Sequence, residues 1–271
     1  MNKSKKAREL KPARELPMER RKSLSQPMTL WGGPPPDPPM PINSSSDAIA
    51  RCQLCAARRS CLVGQLPRSQ QERLDPLILE TSFRKGASLQ DEANNPSTVR
   101  VVKLGTVMIT RRGPDNEARP IAMVGRGHML GMLCLVNTPT ETGATALSSG
   151  RLCELPVSVL GELIAKDGTA RQLAQQRLAS DMALLADWGH VMRLRGLPRQ
   201  LVATLILLAR EQGNPSVLLP SQIALAALLS TTRESVARTL RQLDDIGHLI
   251  RSDRWHAELT GTHRRVFSAG D

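Results

Sequence analysis

Three cysteines with the spacing of metal ligands lie in the first quarter of the chain: Cys52, Cys55 and Cys61. Two residues separate the first pair and five the second, so neighbouring thiolates can wrap around one metal centre. The candidates for a fourth ligand are Cys134, Cys153 and His128. This three-plus-one pattern fits a [4Fe–4S] cluster, whereas structural zinc more often takes two spaced pairs. Spacing alone leaves an iron–sulfur cluster, zinc and unmetallated thiols open.

Arginines beside these cysteines bear on their reactivity. Arg51, Arg58 and Arg59 place positive charge next to the three cysteines, and positive charge lowers the pKa of a thiol. A lowered pKa favours thiolate ligands, and it also makes uncomplexed cysteines more reactive toward oxidants. A metal-free thiol sensor therefore stays open beside the two metal sites.

A second pattern with chemical meaning covers residues 219–250, where two helices are predicted around a tight polar turn. Ser221 is a good N-cap for the first helix, and residues 230–232 form the turn. The second helix opens at Arg233 and ends before Gly247. Two helices joined in this way form a helix-turn-helix, whose second helix enters the DNA major groove.

The polar face of the second predicted helix carries side chains that can read bases. Arginine bonds guanine through two hydrogen bonds, and glutamate accepts from cytosine N4. Hydroxyl groups of the turn suit phosphate contacts, which set the register of a protein on DNA. The predicted DNA-contacting residues are Thr231, Thr232, Arg233, Glu234, Ser235, Ala237, Arg238 and Arg241. An ordinary solvated helix face is the alternative.

Composition narrows the function classes. The 271 residues include 37 Lys and Arg against 25 Asp and Glu, a formal net charge of +12 that favours a polyanionic partner. With three Trp, two Phe and no Tyr, the chain is poor in the aromatic groups on which single-stranded nucleic acids stack. No apolar run reaches the roughly 20 residues of a membrane span. No signal peptide is recognised either, which predicts a cytoplasmic protein without a membrane partner. No nucleophile–base spacing or phosphate loop indicates an enzyme.

The hydrophobic pattern changes twice in the middle of the chain. Short β-rich runs with turn signals between them recur over residues 82–160, which predicts a small antiparallel sandwich or roll. One of these runs covers residues 129–136. Residues 157–195 are predicted to be helical.

An apolar heptad seam runs along this predicted helix in steps of four and three residues. The seam consists of Leu178, Met182, Leu185, Gly189 and Met192, widened by Leu184 and Trp188. Such a stripe packs either on its own domain or on a second copy of the chain, and we expect a dimer.

Residues from about 50 to 255 resemble the Crp/Fnr superfamily of bacterial transcription regulators, and they look most like its FNR branch. The three clustered cysteines repeat that branch's C-x2-C-x5-C arrangement. The segment 152–156, Leu-Cys-Glu-Leu-Pro, is similar to the one that supplies the fourth cluster ligand, so the resemblance selects Cys153 over Cys134. Residues 233–238 match the family's recognition core, and the glycines of 104–107 and 127–131 resemble turns of its β-roll.

The resemblance implies an α+β fold with an N-terminal cupin-like antiparallel β-roll, a long dimerisation helix and a C-terminal winged helix-turn-helix. The expected domains are a disordered basic, proline-rich leader (1–48), a cysteine-bearing segment with the sensory roll (49–160), the dimerisation helix (161–195) and the DNA-binding domain (196–271). The dimer contacts are expected at Leu178, Met182, Leu185, Trp188 and Met192.

The function implied is that of a homodimer that binds a palindromic operator in double-stranded DNA and works with RNA polymerase. It would respond to oxygen, redox state or nitric oxide through a [4Fe–4S] cluster on Cys52, Cys55, Cys61 and Cys153. The alternative is a DNA-binding regulator with structural zinc or a metal-free thiol redox site, which does not sense gas.

Two departures from the family pattern modify these expectations. The cyclic-nucleotide branch holds sugar and phosphate with a glutamate and an arginine, whereas residues 131–133 are Gly-Met-Leu and residues 142–144 are Thr-Gly-Ala here. Cyclic nucleotide binding is therefore disfavoured, because the anion would lack its cation. Ala237 stands where the FNR branch has serine, so the preferred half-site is expected to differ.

Overall fold

The computed structural model describes residues 40–41 and 52–260, so most of the predicted leader lies outside the described residues. Met40–Pro41, which fall inside the leader expected to be disordered, instead pair with residues 81–82 as an edge strand. The helices are α1 (Leu62–Gln65), α2 (Arg68–Leu74), α3 (Val157–Lys166), α4 (Gly168–Arg193), α5 (Leu197–Gln212), α6 (Gln222–Leu228) and α7 (Arg233–Asp245). The strands are β1 (Met40–Pro41), β2 (Leu79–Phe83), β3 (Ser88–Gln90), β4 (Thr98–Leu104), β5 (Val107–Arg112), β6 (Ala118–Val124), β7 (Met129–Leu130), β8 (Gly143–Ala146), β9 (Gly150–Pro156), β10 (Ser216–Leu218), β11 (Leu249–Arg251) and β12 (His256–Leu259).

Two antiparallel sheets form the N-terminal β-roll, with strand orders β1-β2-β9-β4-β7 and β3-β8-β5-β6. Side chains alternate between the two faces of each strand, so Val102 and Leu152 point into the roll with Met108 of the second sheet. These residues are at most 1% exposed. The predicted antiparallel roll is confirmed.

The opposite face of the first sheet builds a second apolar cluster. Val99, Val101 and Leu155 pack there against Leu62 of α1 and Leu160 of α3. The cysteine-bearing segment 52–66 is therefore held on the outside of the roll, against the strand that carries Cys153.

The region predicted as one long helix from 157 to 195 is two helices in the structure. The Asp167 carboxylate accepts a hydrogen bond from the Ala170 backbone N–H at 2.7 Å, which starts α4 afresh after α3. The expected boundary between residues 160 and 161 thus falls inside α3.

The C-terminal part has the predicted helix-turn-helix and a wing. α5 starts with Pro198 in its first turn and ends at Gly213, whose φ of +61° favours glycine. α6 and α7 follow, and β10, β12 and β11 form a three-stranded antiparallel sheet beside them. The winged helix-turn-helix is confirmed.

Residues 129–136 depart from their predicted strand. Only Met129–Leu130 pairs in a sheet, and Met132–Val136 forms a 3-10 helix. Gly131 lies between them with a φ of +82°, a left-handed conformation that turns the chain out of the sheet. The prediction of a strand through residue 136 was wrong.

Among the described residues, every helix is either too short or too polar to cross a bilayer.

Candidate cysteine site and DNA-binding surface

Four cysteines from two distant parts of the chain line one pocket on the outer face of the roll. Cys52, Cys55 and Cys61 belong to the segment before α1, and Cys153 lies in β9. The other side chains of the pocket include Val101, Ile78 and Leu155, so its walls are largely apolar. The structure therefore brings the four predicted ligands together.

Strand alternation explains why Cys153 reaches this pocket. Cys153 is the cross-strand partner of Val101 in β4, and both residues lie on the outer face with Leu155 and Lys103. Glu80 of β2 pairs with Cys153 from the other side, and its carboxylate accepts from Lys103 Nζ at 2.6 Å. An ion pair thus flanks the cysteine on the sheet.

Local hydrogen bonds fold the cysteine segment into a compact loop. The Arg58 and Cys61 backbone N–H groups donate to the carbonyls of Cys55 and Ala57, each at 2.9 Å. The buried Gln71 side chain donates to the carbonyls of Gly64 and Leu66. Helix α1 begins directly after Cys61, which occupies its N-cap position.

The other two candidates for a fourth ligand lie elsewhere. Cys134 belongs to the 3-10 helix, is 3% exposed and does not line the pocket. His128 Nδ1 lies 3.2 Å from an Asp181 carboxylate oxygen of α4. Within residues 52–260, no three or more His, Cys, Asp or Glu side chains are arranged to hold a single metal ion.

Burial controls the acidity of the pocket thiols. It raises the pKa of Cys153 to about 12 and raises the pKa of Cys52 and Cys61. The Asp75 carboxylate, which contacts Cys52, adds to the rise there, whereas Lys103 opposes it at Cys153. At Cys52 and Cys61 the outcome is opposite to the lowered pKa expected beside Arg51, Arg58 and Arg59, because burial is the largest influence on both thiols.

The helix-turn-helix exposes the predicted DNA-contacting side chains. Val236 and Leu240 of α7 are at most 1% exposed, whereas Arg233, Glu234, Arg238 and Arg241 lie on the outer face. Thr232 caps the helix, since its Oγ1 accepts from the Ser235 backbone N–H at 3.2 Å. Ser221 caps α6 in the same way through Ala224.

The seam along α4 is only partly available to a second chain. Met182 is 66% exposed, and Leu178 and Leu185 are also exposed. Trp188 corrects the prediction: it is fully buried, and its Nε1–H donates to the Met123 carbonyl of β6 at 3.1 Å. Met192 is half-buried and packs against the chain's own core. The free apolar stripe therefore covers Leu178, Met182 and Leu185.

Two family models match most of the described residues. Residues 80–167 match the cyclic nucleotide-binding domain, and residues 199–268 match the Crp-like helix-turn-helix domain. This chain belongs to the Crp/Fnr superfamily. The first match falls mainly on the β-roll, and the second falls on the helix-turn-helix and its wing.

Curated relatives and solved structures of Crp/Fnr proteins agree with this assignment. The chain is 22% identical over 142 residues to the fumarate and nitrate reduction regulatory protein of Vibrio cholerae, covering 52% of this chain and 56% of that one. It is 20% identical to the anaerobic regulatory protein of Pasteurella multocida, covering 77% and 78%. The chain thus spans little more than half the length of the first relative.

The fold is shared with FixK2 from Bradyrhizobium japonicum, at a TM-score of 0.60 and 21% identity over 72% of this chain and 97% of that one. It is also shared with the c-di-GMP responsive global regulator CLP of Xanthomonas campestris, at a TM-score of 0.56 and 18% identity over 72% and 100%.

The Crp/Fnr roll encloses a cavity of about 250 Å³ next to α4, lined by residues 131–133 and by Thr142 among others. Two basic side chains on its wall already have acidic partners. Arg111 lies 2.8 Å from Glu141, and His128 contacts Asp181.

Sequence reasoning missed the polar residues that surround these sites. Lys103, Arg177, Asp181 and Glu211 all bond to groups that are distant in sequence. The alternation of side chains in β4 predicts that Lys103 points outward, but it does not predict that Glu80 is its partner. Arg177 and Asp181 are four residues apart on one helix, and only their spacing could have indicated a pair.

Proposed function

We propose that this chain is a homodimeric, DNA-binding transcription regulator that responds to oxygen, redox state or nitric oxide through a [4Fe–4S] cluster. The single observation that carries the sensing part is the pocket formed by Cys52, Cys55, Cys61 and Cys153. Four thiols are the usual ligand set of such clusters. When bound, the cluster supplies the reactivity toward oxygen or nitric oxide.

The donor set favours a cluster over zinc. A structural zinc ion draws four sulfurs to about 2.3 Å from one centre, whereas a four-iron cluster takes each sulfur at a different iron. The pocket takes three of its thiols from the loop 52–61 and the fourth from β9, the three-plus-one arrangement that fits a four-iron cluster. Lys103 and Arg58 add positive charge that compensates an anionic, thiolate-bound cluster.

The metal-free thiol sensor is less well supported. A sensor cysteine reacts as thiolate, which needs a low pKa and an accessible sulfur. Burial instead raises the pKa of three of the four thiols. Structural zinc stays the second candidate, because four cysteine thiolates are also a common ligand set for zinc.

DNA recognition is assigned to the exposed face of α7. Arg233, Glu234 and Arg238 occupy the N-terminal half of the helix, the part that reaches base edges in this motif. Ser235 and Ala237 complete that face, and Thr231, Thr232 and Arg241 suit backbone contacts. A dimer formed through the α4 stripe would present two such helices, which matches a palindromic operator. Transcription control implies RNA polymerase as a partner and the cytoplasm as the place of action.

Cyclic nucleotides are disfavoured as ligands. The basic side chains described in the roll cavity are already engaged by carboxylates, so a phosphate would have to displace Glu141 or Asp181. Both displacements would leave a negative charge beside the bound anion.

Anaerobic purification followed by an absorbance spectrum and iron analysis tests the sensing part. We expect a brown protein with about four irons per chain, as a four-iron cluster requires. Cys153→Ala should lose the colour, whereas Cys134→Ala, the matched control outside the pocket, should keep it. A colourless wild type after attempted reconstitution would reject the cluster, and equimolar zinc would select the structural alternative.

Operator affinity of holoprotein before and after air exposure tests the response. We expect weaker DNA binding after the cluster is lost. Unchanged affinity after verified loss of iron would contradict gas sensing and leave DNA binding untouched.

A further inference from the structure

The turn between β6 and β7, residues 125–128, is a meeting point of three parts of the molecule. It contacts the cysteine loop, helix α4 and helix α5, and each contact rests on separate atoms. Its sequence is Gly-Arg-Gly-His, and both glycines lie where a side chain would collide with a neighbouring segment.

On the cysteine side, the turn packs directly on Ser60, the residue before Cys61. A Cβ atom on Gly127 would lie 2.5 Å from Ser60 Oγ and 2.6 Å from its carbonyl oxygen. A side chain at position 127 would therefore collide with Ser60, so glycine is what lets the turn and the cysteine loop approach this closely. The same Ser60 carbonyl accepts a hydrogen bond from Arg177 Nη1 at 3.3 Å.

On the α4 side, a buried polar group ties the helix to the turn. Arg177 Nε donates to Asp181 Oδ1 at 3.0 Å, and His128 Nδ1 lies 3.2 Å from the same oxygen. All three side chains are 14–15% exposed. Asp181 therefore links the arginine that holds Ser60 to the histidine of the turn.

On the DNA-binding side, the turn is fastened to the C-terminal end of α5. The Gly125 N–H donates to Glu211 Oε2 at 2.8 Å, and the Arg126 N–H donates to the Glu211 carbonyl at 2.9 Å. Arg126 also donates to the Gln212 carbonyl at 2.9 Å. The Gln212 amide in turn bonds both backbone groups of Leu218, the last residue of β10 in the wing sheet.

We propose that residues 125–128 couple the cysteine loop to the DNA-binding domain, with Arg177 and Glu211 as the positioning residues of that coupling. The proposal rests on the cysteine pocket being the sensory site of the proposed function. When the loop is held, Ser60 presses on Gly127 and offers its carbonyl to Arg177. When the loop is released, both restraints are lost at once, and the turn that anchors Glu211 is free to shift.

The physical basis is that close-packed contacts and buried hydrogen bonds do not deform gradually. A buried polar network that loses one partner rearranges to satisfy the remaining groups. The held position of the cysteine loop and the anchored position of the DNA-binding domain then belong to one conformational state. A ligand that stabilises this state at one site raises the affinity at the other site by the same factor.

The first test uses the metal-free chain and hydrogen exchange of backbone amides, so it does not depend on the cluster. Arg177→Gln removes the Ser60 contact. Arg171→Gln on the same helix is the matched control, since the Arg171 guanidinium donates to the carbonyls of Ile164 and Ala165, away from the turn. We expect Arg177→Gln to raise exchange at least fivefold in both the cysteine loop and α5. Faster exchange in the loop alone would overturn the coupling.

The second test compares holoprotein with chelator-treated protein in operator binding. The quantity compared is the ratio of operator affinity with the cluster to operator affinity without it. Arg177→Gln should reduce this ratio at least threefold relative to the wild type while its iron content stays unchanged. Arg171→Gln should keep the wild-type ratio. An equally large ratio in Arg177→Gln would overturn the coupling alone. If the wild type binds the operator equally well with and without its cluster, the proposed gas response is rejected. The hydrogen-exchange experiment would still decide the coupling.

Gly127→Ala provides an independent variant should Arg177→Gln fold poorly. Its added Cβ collides with Ser60 at a φ of +84°, whereas Gly86→Ala, at a φ of +89°, carries the same backbone strain but adds a Cβ that meets nothing within 4 Å. We expect the first to raise exchange in both α5 and the loop and the second to leave both unchanged. Unchanged exchange in α5 with Gly127→Ala would also overturn the coupling.

Discussion

At the scale of single residues, Glu211 is a buried carboxyl whose ionisation opposes folding. Burial raises its pKa, and the hydrogen bond from the Gly125 N–H offsets that rise only in part. The folded chain therefore holds the Glu211 proton more tightly than the unfolded chain does. Stability contributed by this proton is present at low pH and is lost as pH rises above about 4.3, the ordinary glutamate value, through the raised folded pKa.

Glu211→Gln removes this titration while keeping an oxygen that can accept from Gly125. We expect the free energy of unfolding of the wild type to fall relative to the variant as pH rises through that window. Urea unfolding of both proteins over a pH series measures the difference. Parallel curves would show that the carboxyl has the same pKa in the folded and unfolded chains.

Single residues also mark the limit of what the sequence predicted. The spacing of Cys52, Cys55 and Cys61 predicted a shared site, and the resemblance added Cys153; the structure places all four in one pocket, while their role as ligands stays a prediction. The exposed face of α7 followed from its helical periodicity. Glu211 and Gly125 were not predictable, because they are distant in sequence and neither residue type signals its partner. Trp188 was misassigned for a related reason: its heptad position is apolar, and only the neighbouring β6 decides that it faces inward.

At the scale of elements, helix α4 has two apolar faces, one packed against the chain's own core and one exposed to solvent. One buries Trp188 and Val191 in the chain's own core, and the other exposes Leu178, Met182 and Leu185. Heptad spacing could identify a stripe but not divide it between two partners, because both faces are apolar. The sequence also did not predict that α4 begins at Gly168. The helical pattern of apolar residues continues through this point, and it hides the N-cap formed by Asp167.

Met182→Glu tests the exposed face of α4 as a dimer contact. A symmetric interface would bury two unpaired carboxylates, and burial of an unpaired charge costs several kcal/mol. We expect the dimer dissociation constant, measured by analytical ultracentrifugation, to rise at least tenfold.

The matched control is Gln176→Glu, an exposed position about 240° around the helix from Met182 at 3.6 residues per turn. It should leave the dimer intact. A wild type that sediments as a monomer, or equal dissociation constants for the wild type and Met182→Glu, would contradict dimerisation through this face.

At the scale of the whole molecule, charge is distributed unevenly in a way that concerns DNA. The formal net charge is +12, and residues 1–48 contain basic clusters that are separate in sequence from the recognition helix α7. Phosphate neutralisation makes DNA affinity fall with salt at a slope of about −0.9 per phosphate contact.

Removing residues 1–39, which carry the leader's Lys and Arg and leave β1 in place, should therefore weaken nonspecific, salt-sensitive DNA binding more than operator binding at fixed salt. The measurement is the slope of log affinity against log salt for operator and random DNA. A full-length variant with the leader's Lys and Arg changed to Gln separates charge from length. Equal slopes for the truncated and full-length chains would mean that the leader does not touch DNA.

The order of a β-roll followed by helices and a winged helix-turn-helix was predictable, because the hydrophobic pattern changes from strand-like to helical along the chain. How the units pack was not, because the contacts between the roll and α5 rest on backbone groups of Gly125 and Arg126. Every residue type except proline has a backbone N–H, so these contacts leave no sequence signal. The continuous apolar cluster that joins the roll to the helix-turn-helix is likewise invisible in sequence periodicity.

The position of Cys153 has a consequence for biosynthesis. Three of the pocket cysteines leave the ribosome together, but the fourth lies about ninety residues later, a delay of roughly 5 to 20 s at ordinary rates of translation. Cys153 faces the other three only after β9 has paired with β2 and β4. Under the proposed four-thiol ligation, the complete ligand set exists only after the roll has closed, and a nascent chain that stalls earlier has three of the four cysteines.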